Sequence, residues 1–254
     1  MIDDHKPFQD HFSAHAADYA SARPTYPPRL FEWLAEQCEE RQLAWDVATG
    51  NGQAAMSLAE HFEKVLASDG SAAQLEAAQR HPSINYQQAV AGDPWLPGDC
   101  VDLVTVAQAV HWFDQERFFA DAMRVLKPGG VLAVWGYGRV EVSPNIDRIE
   151  EVFYKDVVGD YWPPERSQLD AELSELEMPG ESIEVPDFEM SVTWTARQFI
   201  NYIGTWSAVR RYRDAKGHDP LVWLQGELDP FWRSHERRRV RWPLFLKVSR
   251  KPES

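Results

Sequence analysis

The sequence predicts an α/β protein: a mostly parallel sheet with helices on both faces. Three observations carry this reading. Between residues 44 and 137, short apolar runs alternate with segments of helical periodicity. Two of these runs, VDLVTVAQ at 101–108 and VLAVWGY at 131–137, are apolar almost throughout. Only central parallel strands, buried on both faces, tolerate that pattern. A glycine turn, VATGNGQAA at 47–55, joins the first run to the first helical segment.

The elements follow in order. The prolines Pro24, Pro27 and Pro28 set a turn, and Leu30, Phe31 and Leu34 recur at helical spacing behind it. AWDVA (44–48) reads as a strand and GQAAMSLAEHF (52–62) as a helix. KVLASD (64–69) and SAAQLEAAQRH (71–81) repeat the unit, and INYQQAV (84–90) is a third strand. The fourth strand, 101–108, leads to a helix at 115–126, a KPGG turn at 127–130 and a fifth strand at 131–137. Beyond 138 the rhythm changes. Helices are predicted over 144–158, 195–215 and 219–239, and an irregular then helical stretch over 161–176. The alternation over 182–194 predicts a strand despite Pro186. The last strand, 240–250, contains Pro243, which implies an edge position or a bulge.

The 254 residues allow one domain of the larger α/β kind, or one with an inserted cap, and the 44% hydrophobic content supports a real core. No apolar run approaches the ~20 residues of a membrane helix. The N-terminal stretch has neither a basic region nor an apolar one, and Cys38 and Cys100 form no metal or redox spacing. Two reduced thiols in the cytoplasm are the expectation. Residues 1–196 carry 13 Lys and Arg against 34 Asp and Glu, or −21; residues 197–254 carry 13 against 6, or +7. So acidic a chain lacks the footprint that holds a phosphate backbone, which argues against nucleic acid as partner. The basic run HERRRVR, 235–241, reads as a solvated helix end whose cations offset the helix dipole, with an anion-binding role as the alternative. Of the eleven tryptophans, six lie in the last hundred residues, at a density that fills a core or lines an apolar pocket.

Gly50 and Gly52 permit positive φ and close approach of a ligand to the backbone. The helix behind them presents unpaired N–H groups. Asp69 ends the second strand, where a carboxylate can accept from both hydroxyls of a ribose. Together these specify an adenosine-bearing ligand at the carboxyl edge of the sheet. The loop does not name that ligand, because Gly50-x-Gly52-x-x-Ala55 also fits the dinucleotide fingerprint. A nicotinamide-dependent oxidoreductase therefore stands as an alternative. Some forty residues before the first strand, and no second nucleotide-binding half after 138, argue against it.

WDVATGNGQ, ASDGS, VDLVTVAQAVHWFD, RVLKPGGVLAVWGY and the closing RWPLFLKV resemble the class I S-adenosylmethionine-dependent methyltransferases. More narrowly, with ARPTYP and TWSAVRRY, the chain resembles the branch that includes trans-aconitate methyltransferase-like proteins. The resemblance runs from about residue 21 to the C-terminus. It implies a Rossmann-like seven-stranded sheet with an antiparallel last strand and a helical cap from the C-terminal part. The implied organisation is a single domain over 1–254: an N-terminal lid at 1–40, a cofactor-binding core at 41–138, a substrate cover at 139–239 and a final sheet strand at 240–250. It implies S-adenosylmethionine as cofactor. Asp46, Ala48, Gly50, Gly52 and Gln108 would lie against its methionine part. Asp69 would hold the ribose, with Gly70 and Ser71 beside it. Tyr19 and Arg23 would close over the site. Ala48 stands where the family commonly has glycine, and Pro94 where it often has an acid, which leaves Asp93 as the adenine contact.

Methyl transfer from a sulfonium is an in-line displacement, so the protein must align donor and acceptor and exclude water. A carboxylate acceptor arrives ionised and needs cations: Arg23, Arg166, Arg210 and Arg211 are the candidates. Other acceptors need their proton managed. His111, at the carboxyl end of the fourth strand, is the candidate base, or else a pocket wall; the residues alone leave both open. Trp162, Trp206 and Tyr212 would line a pocket for an apolar acceptor. The expected function is methyl transfer to a small molecule, possibly a carboxylate, with a cofactor-binding protein that has lost turnover as a further alternative. No metal spacing, nucleic-acid partner or membrane partner is expected.

Overall fold

The computed structural model describes residues 24–93, 95–162 and 176–253. Helix α1 (Pro28–Glu36) begins on a proline, whose missing N–H has no partner to lose there, and buries Leu30, Phe31, Leu34 and Ala35. Strand β1 (Leu43–Val47), α2 (Gln53–Leu58), β2 (Lys64–Asp69), α3 (Ala72–Ala77) and β3 (Ile84–Gln88) follow in alternation. Then come β4 (Val101–Ala107), a 3₁₀ turn (Val110–Trp112), α4 (Gln115–Val125) and β5 (Leu126–Tyr137). The sheet runs in the order β3-β2-β1-β4-β5-β8-β6, parallel from β3 to β5. Strand β8 (Arg238–Arg250) is antiparallel to β5 and to the short β6 (Glu181–Ile183). The predicted seven-stranded sheet with an antiparallel last strand is thus present. β4 and β5 are its central apolar strands, flanked by β1 and β8.

The two-residue period of the strands divides the core into two layers. Ala44, Leu103, Val131, Ala133 and Trp135 point to the side covered by α1, α2 and the cap. Trp45, Val104, Val106, Leu132 and Val134 point to the side covered by α4, whose Phe118, Ala122 and Val125 are fully buried. Trp45, Trp135, Trp232 and Trp242 are core residues, each under 2% exposed.

The cap comprises α5 (Pro144–Val152), a π-helical turn (Phe153–Val157), α6 (Ala196–Gly204), α7 (Ser207–Lys216) and α8 (Leu221–Leu228). Several boundaries differ from expectation. The strand predicted over 182–194 is two strands, β6 and β7 (Glu189–Trp194), because Pro186 interrupts the ladder; β7 pairs with the first half of β8 and makes an eighth strand. Pro243 marks the handover, since β8 pairs with β7 up to that residue and with β5 from Leu244 onward. The KPGG turn lies inside β5, which opens with a register shift against β4 and has Gly129 at φ +75°. The helix predicted over 195–215 is broken at Thr205 and Trp206. The one predicted over 219–239 ends at Leu228, ahead of Pro230, whose ring cannot enter a helix interior. HERRRVR is therefore not a helix end. Arg238 starts β8, and the run is paired: Arg239 and Arg241 with Glu189, Arg241 with Glu141, Arg238 with Glu236.

Candidate active site

The carboxyl edge of β1, β2, β4 and β5 carries the unusual backbone. Ala48 (φ +53°), Gly50 (φ +57°) and Gly52 (φ +85°) follow β1, and Gln108 (φ +60°) follows the adjacent β4. An L-residue in the left-handed region costs about 1–2 kcal/mol, so Ala48 and Gln108 must be held there. The Thr49 N–H donates to the Ser68 carbonyl at 2.9 Å, and the Gln108 N–H to the Trp135 carbonyl at 2.8 Å. A Cβ on Gly52 would collide with the Tyr86 hydroxyl, so the loop is packed against β3 as tightly as glycine allows.

Two carboxylates organise this loop. Asp69, at the end of β2, accepts from the Gly50 N–H and the Ser71 N–H, both at 2.8 Å. A carboxylate at the end of a strand is the kind of group that accepts from the hydroxyls of a ribose. Ser71 caps α3, and Gly70 lies between them, its carbonyl accepting from the Gln88 side chain at 3.0 Å. Asp46 is 1% exposed and accepts from the Thr49 hydroxyl at 2.5 Å and the Thr105 hydroxyl at 2.7 Å. Burial pushes its carboxyl up to about 6, against the pull of those two hydroxyls. Asp46 therefore ties β1, β4 and the loop together from beneath.

The remaining cofactor candidates are placed as follows. Asp93 pairs with Arg117 at 3.0 Å in an exposed bridge to the start of α4. The Pro24 carbonyl accepts from the Gln53 side chain at 3.0 Å, which holds Pro24 at the start of α2. Tyr19, Arg23 and Arg166 lie outside the described residues. Gln108 Nε2 is buried with no hydrogen-bond partner among the described residues. His111 is buried in the 3₁₀ turn beyond it, its ring 4.7 Å from that of Trp112.

Across the edge stands the cap. Trp162 and Trp206 are brought together, their rings 5.4 Å apart, and Tyr154 completes a triangle at 4.7 and 5.8 Å. Arg210, Arg211 and Tyr212 lie on α7, partly buried, with the Tyr212 ring edge-on to Tyr161 at 5.0 Å. The sequence reading missed Arg139, Glu150 and Tyr154. Arg139, two residues past β5, pairs with the buried Glu150 of α5 and lies 5.3 Å over the Tyr154 ring. The signal was available for Arg139. It is a cation at the carboxyl end of a predicted central strand, the same positional argument applied to His111. No group of His, Cys, Asp or Glu among the described residues could hold a metal ion.

Residues 45–134 match the family model of the methyltransferase domain. A Dictyostelium discoideum protein named as a methyltransferase is 31% identical over 252 residues, covering 96% of both chains. The chain belongs to the class I S-adenosylmethionine-dependent methyltransferases. A solved structure from Anaeromyxobacter dehalogenans, described as a type II methyltransferase, is 39% identical, covers 91% of this chain and 99% of that one, and superposes with a TM-score of 0.85. The Bacillus subtilis protein YcgJ shares the fold at 16% identity and a TM-score of 0.51. Membership gives the glycine loop a ligand and sets the nicotinamide alternative aside. The residues fit the methyltransferase cofactor. Asp69 sets a carboxylate of the kind that holds a ribose diol at the end of β2, a Cβ on Gly50 would meet nothing nearer than Gln74 Oε1 at 3.9 Å, and Gln108 offers a buried donor that lacks an acceptor among the described residues.

Proposed function

We propose that this methyltransferase acts on a small molecule bound between the carboxyl ends of β4 and β5 and the aromatic cap. The observation that carries the proposal is the contact of Arg139 with Tyr154. It sets the Tyr154–Trp162–Trp206 cluster against the strand ends where an acceptor must meet the cofactor. The charge of −21 over residues 1–196 supports a small molecule over a nucleic acid. No helix among the described residues is long and apolar enough to cross a membrane. A cytoplasmic site of action is part of the proposal and is supported by the unpaired thiols of Cys38 and Cys100.

S-adenosylmethionine supplies an activated methyl group when bound. Asp69 would hold its ribose, with Gly70 and Ser71 alongside. Ala48, Gly50, Gly52 and Gln108 would hold its methionine part, and Asp93, Tyr19 and Arg23 would complete the enclosure. Asp46 would act by bracing the loop. His111 would form part of the floor under the acceptor. The Arg139 charge is matched by Glu150 and Glu151. A carboxylate acceptor would be oriented from α7, where Arg210 and Arg211 lie one turn past Trp206. Incubation with labelled S-adenosylmethionine and a panel of acids, phenols and amines tests the proposal: transfer to one class supports it. Saturable cofactor binding with no transfer to any member would favour a protein that has lost turnover.

A further inference from the structure

We infer that Arg139 and Glu150 form a reading pair for the acceptor, which takes a neutral group that both accepts and donates a hydrogen bond. A phenolic hydroxyl is the simplest such group. The inference rests on the functional reading above and narrows its substrate class.

Four observations converge on this pair. Arg139 lies two residues beyond the carboxyl end of β5, and Glu150 approaches it from α5. Glu150 is 2% exposed, so its carboxylate is almost wholly removed from water. The pair meets at one point only, between Arg139 Nη2 and Glu150 Oε2. Arg139 Nε and Glu150 Oε1 are both buried and have no hydrogen-bond partner among the described residues. One orphan is a donor and the other an acceptor, and they belong to neighbouring side chains. A group that accepts from Nε–H and donates to Oε1 would satisfy both at once.

Charge selects among possible groups. A carboxylate at this position would meet the Glu150 carboxylate, with Glu151 3.7 Å from the same guanidinium. An ammonium would meet Arg139. Neither ion is welcome where the local charges already balance, since an extra buried charge must be desolvated without a partner. Tyr154 lies under the guanidinium and packs against Trp162 and Trp206, so the pair sits at the border of an aromatic cluster, surroundings that favour an aromatic ligand over an ion. Burial pushes the Glu150 carboxyl up, with Arg139 pulling the other way. A carboxylate so placed accepts a hydrogen bond strongly. A competing arrangement would satisfy both orphans without a ligand: a side-on pair in which Nε also donates to Oε1. That arrangement would anchor the cap and read nothing.

The test is calorimetric titration of the full chain, preloaded with S-adenosylmethionine, with three probes of one shape: 4-methylphenol, 4-methylbenzoate and 4-methylbenzylammonium. Quenching of tryptophan fluorescence from the cap gives a second readout. Expected is a preference for the phenol of at least about tenfold over both ions, because a site built around paired polar groups rejects ligands that leave them unmatched. Glu150→Gln and the milder Arg139→Lys should each erase that preference, and cofactor affinity on the same sample reports whether each variant is folded. Tighter binding of either ion, or no phenol binding, overturns the inference. So does an undiminished preference in a folded Arg139→Lys protein, which would mean that the pair closes on itself. Failure of the wild-type chain to bind S-adenosylmethionine would instead sink the functional reading on which the inference rests.

Discussion

The strand ends of β1 and β2 and those of β4 and β5 face the same edge of the sheet, yet they are finished differently. At β1 and β2 the chain closes on itself. Asp46 is taken by Thr49 and Thr105, and Asp69 by Gly50 and Ser71. At the end of β5 and the helix facing it, Trp135 Nε1, Arg139 Nε and Glu150 Oε1 are buried and have no hydrogen-bond partner among the described residues. The first half is preorganised: its two carboxylates fix the glycine loop before any ligand arrives. The second half keeps unspent donors and an acceptor, which is where specificity for a variable ligand is written. A fold can thus keep its cofactor half rigid while its acceptor half diverges.

Substitutions can break this contrast, and the largest effect belongs to the acceptor half. Arg139→Ala would leave the buried Glu150 charge unpaired and should cost about 3 kcal/mol in urea unfolding, the scale of a broken buried ion pair. A loss below about 1 kcal/mol would mean that the pair is solvated and the contrast overstated. Next is the pH dependence set by Asp46. Its carboxyl is raised from near 3.8 to about 6, so the folded state holds the proton more tightly than the unfolded chain. Its stabilising contribution is full below about pH 4 and is lost as pH rises through about 6. The stability of the wild-type protein relative to Asp46→Asn should therefore fall by roughly 2 kcal/mol between pH 4 and pH 7. A flat difference would show Asp46 to be solvated.

Smaller effects sharpen the description of the loop. Gly52→Ala must place a Cβ against the Tyr86 hydroxyl at φ +85°, and should cost about 1–2 kcal/mol and weaken cofactor binding. Ala48→Gly goes the other way. Relief of the left-handed conformation at φ +53° should raise stability by about 0.5–1 kcal/mol, visible as a higher Tm. An unchanged or lower Tm would show that Ala48 is packed in a way that offsets its strain.

The fold was legible where one physical rule dominated. The near-continuous apolar runs of β4 and β5 could only be central strands, and they are. The cap was harder because helical periodicity survives a break. Thr205 and Trp206 interrupt a stretch whose apolar spacing does not falter, and the helix read over 219–239 stops at Leu228, ahead of Pro230. The site divided along the same line. The positions of Gly50 and Asp69 at the carboxyl ends of β1 and β2 were readable because each follows directly from where a strand stops. The family resemblance implies that Asp46 lies against the cofactor, whereas its carboxylate turns inward to two threonines, one of them 59 residues away. The Arg139–Glu150 pair depends on how α5 folds back over β5, and no periodicity encodes that.

The division of labour across this edge is tested most directly by calorimetric titration of S-adenosylmethionine into wild-type protein, Asp69→Ala and Arg139→Lys. The account predicts saturable binding to the wild type, a loss of affinity of about a hundredfold or more in Asp69→Ala, and near wild-type affinity in Arg139→Lys. Equal affinities for wild type and Asp69→Ala, or a loss in Arg139→Lys as large as in Asp69→Ala, would contradict it.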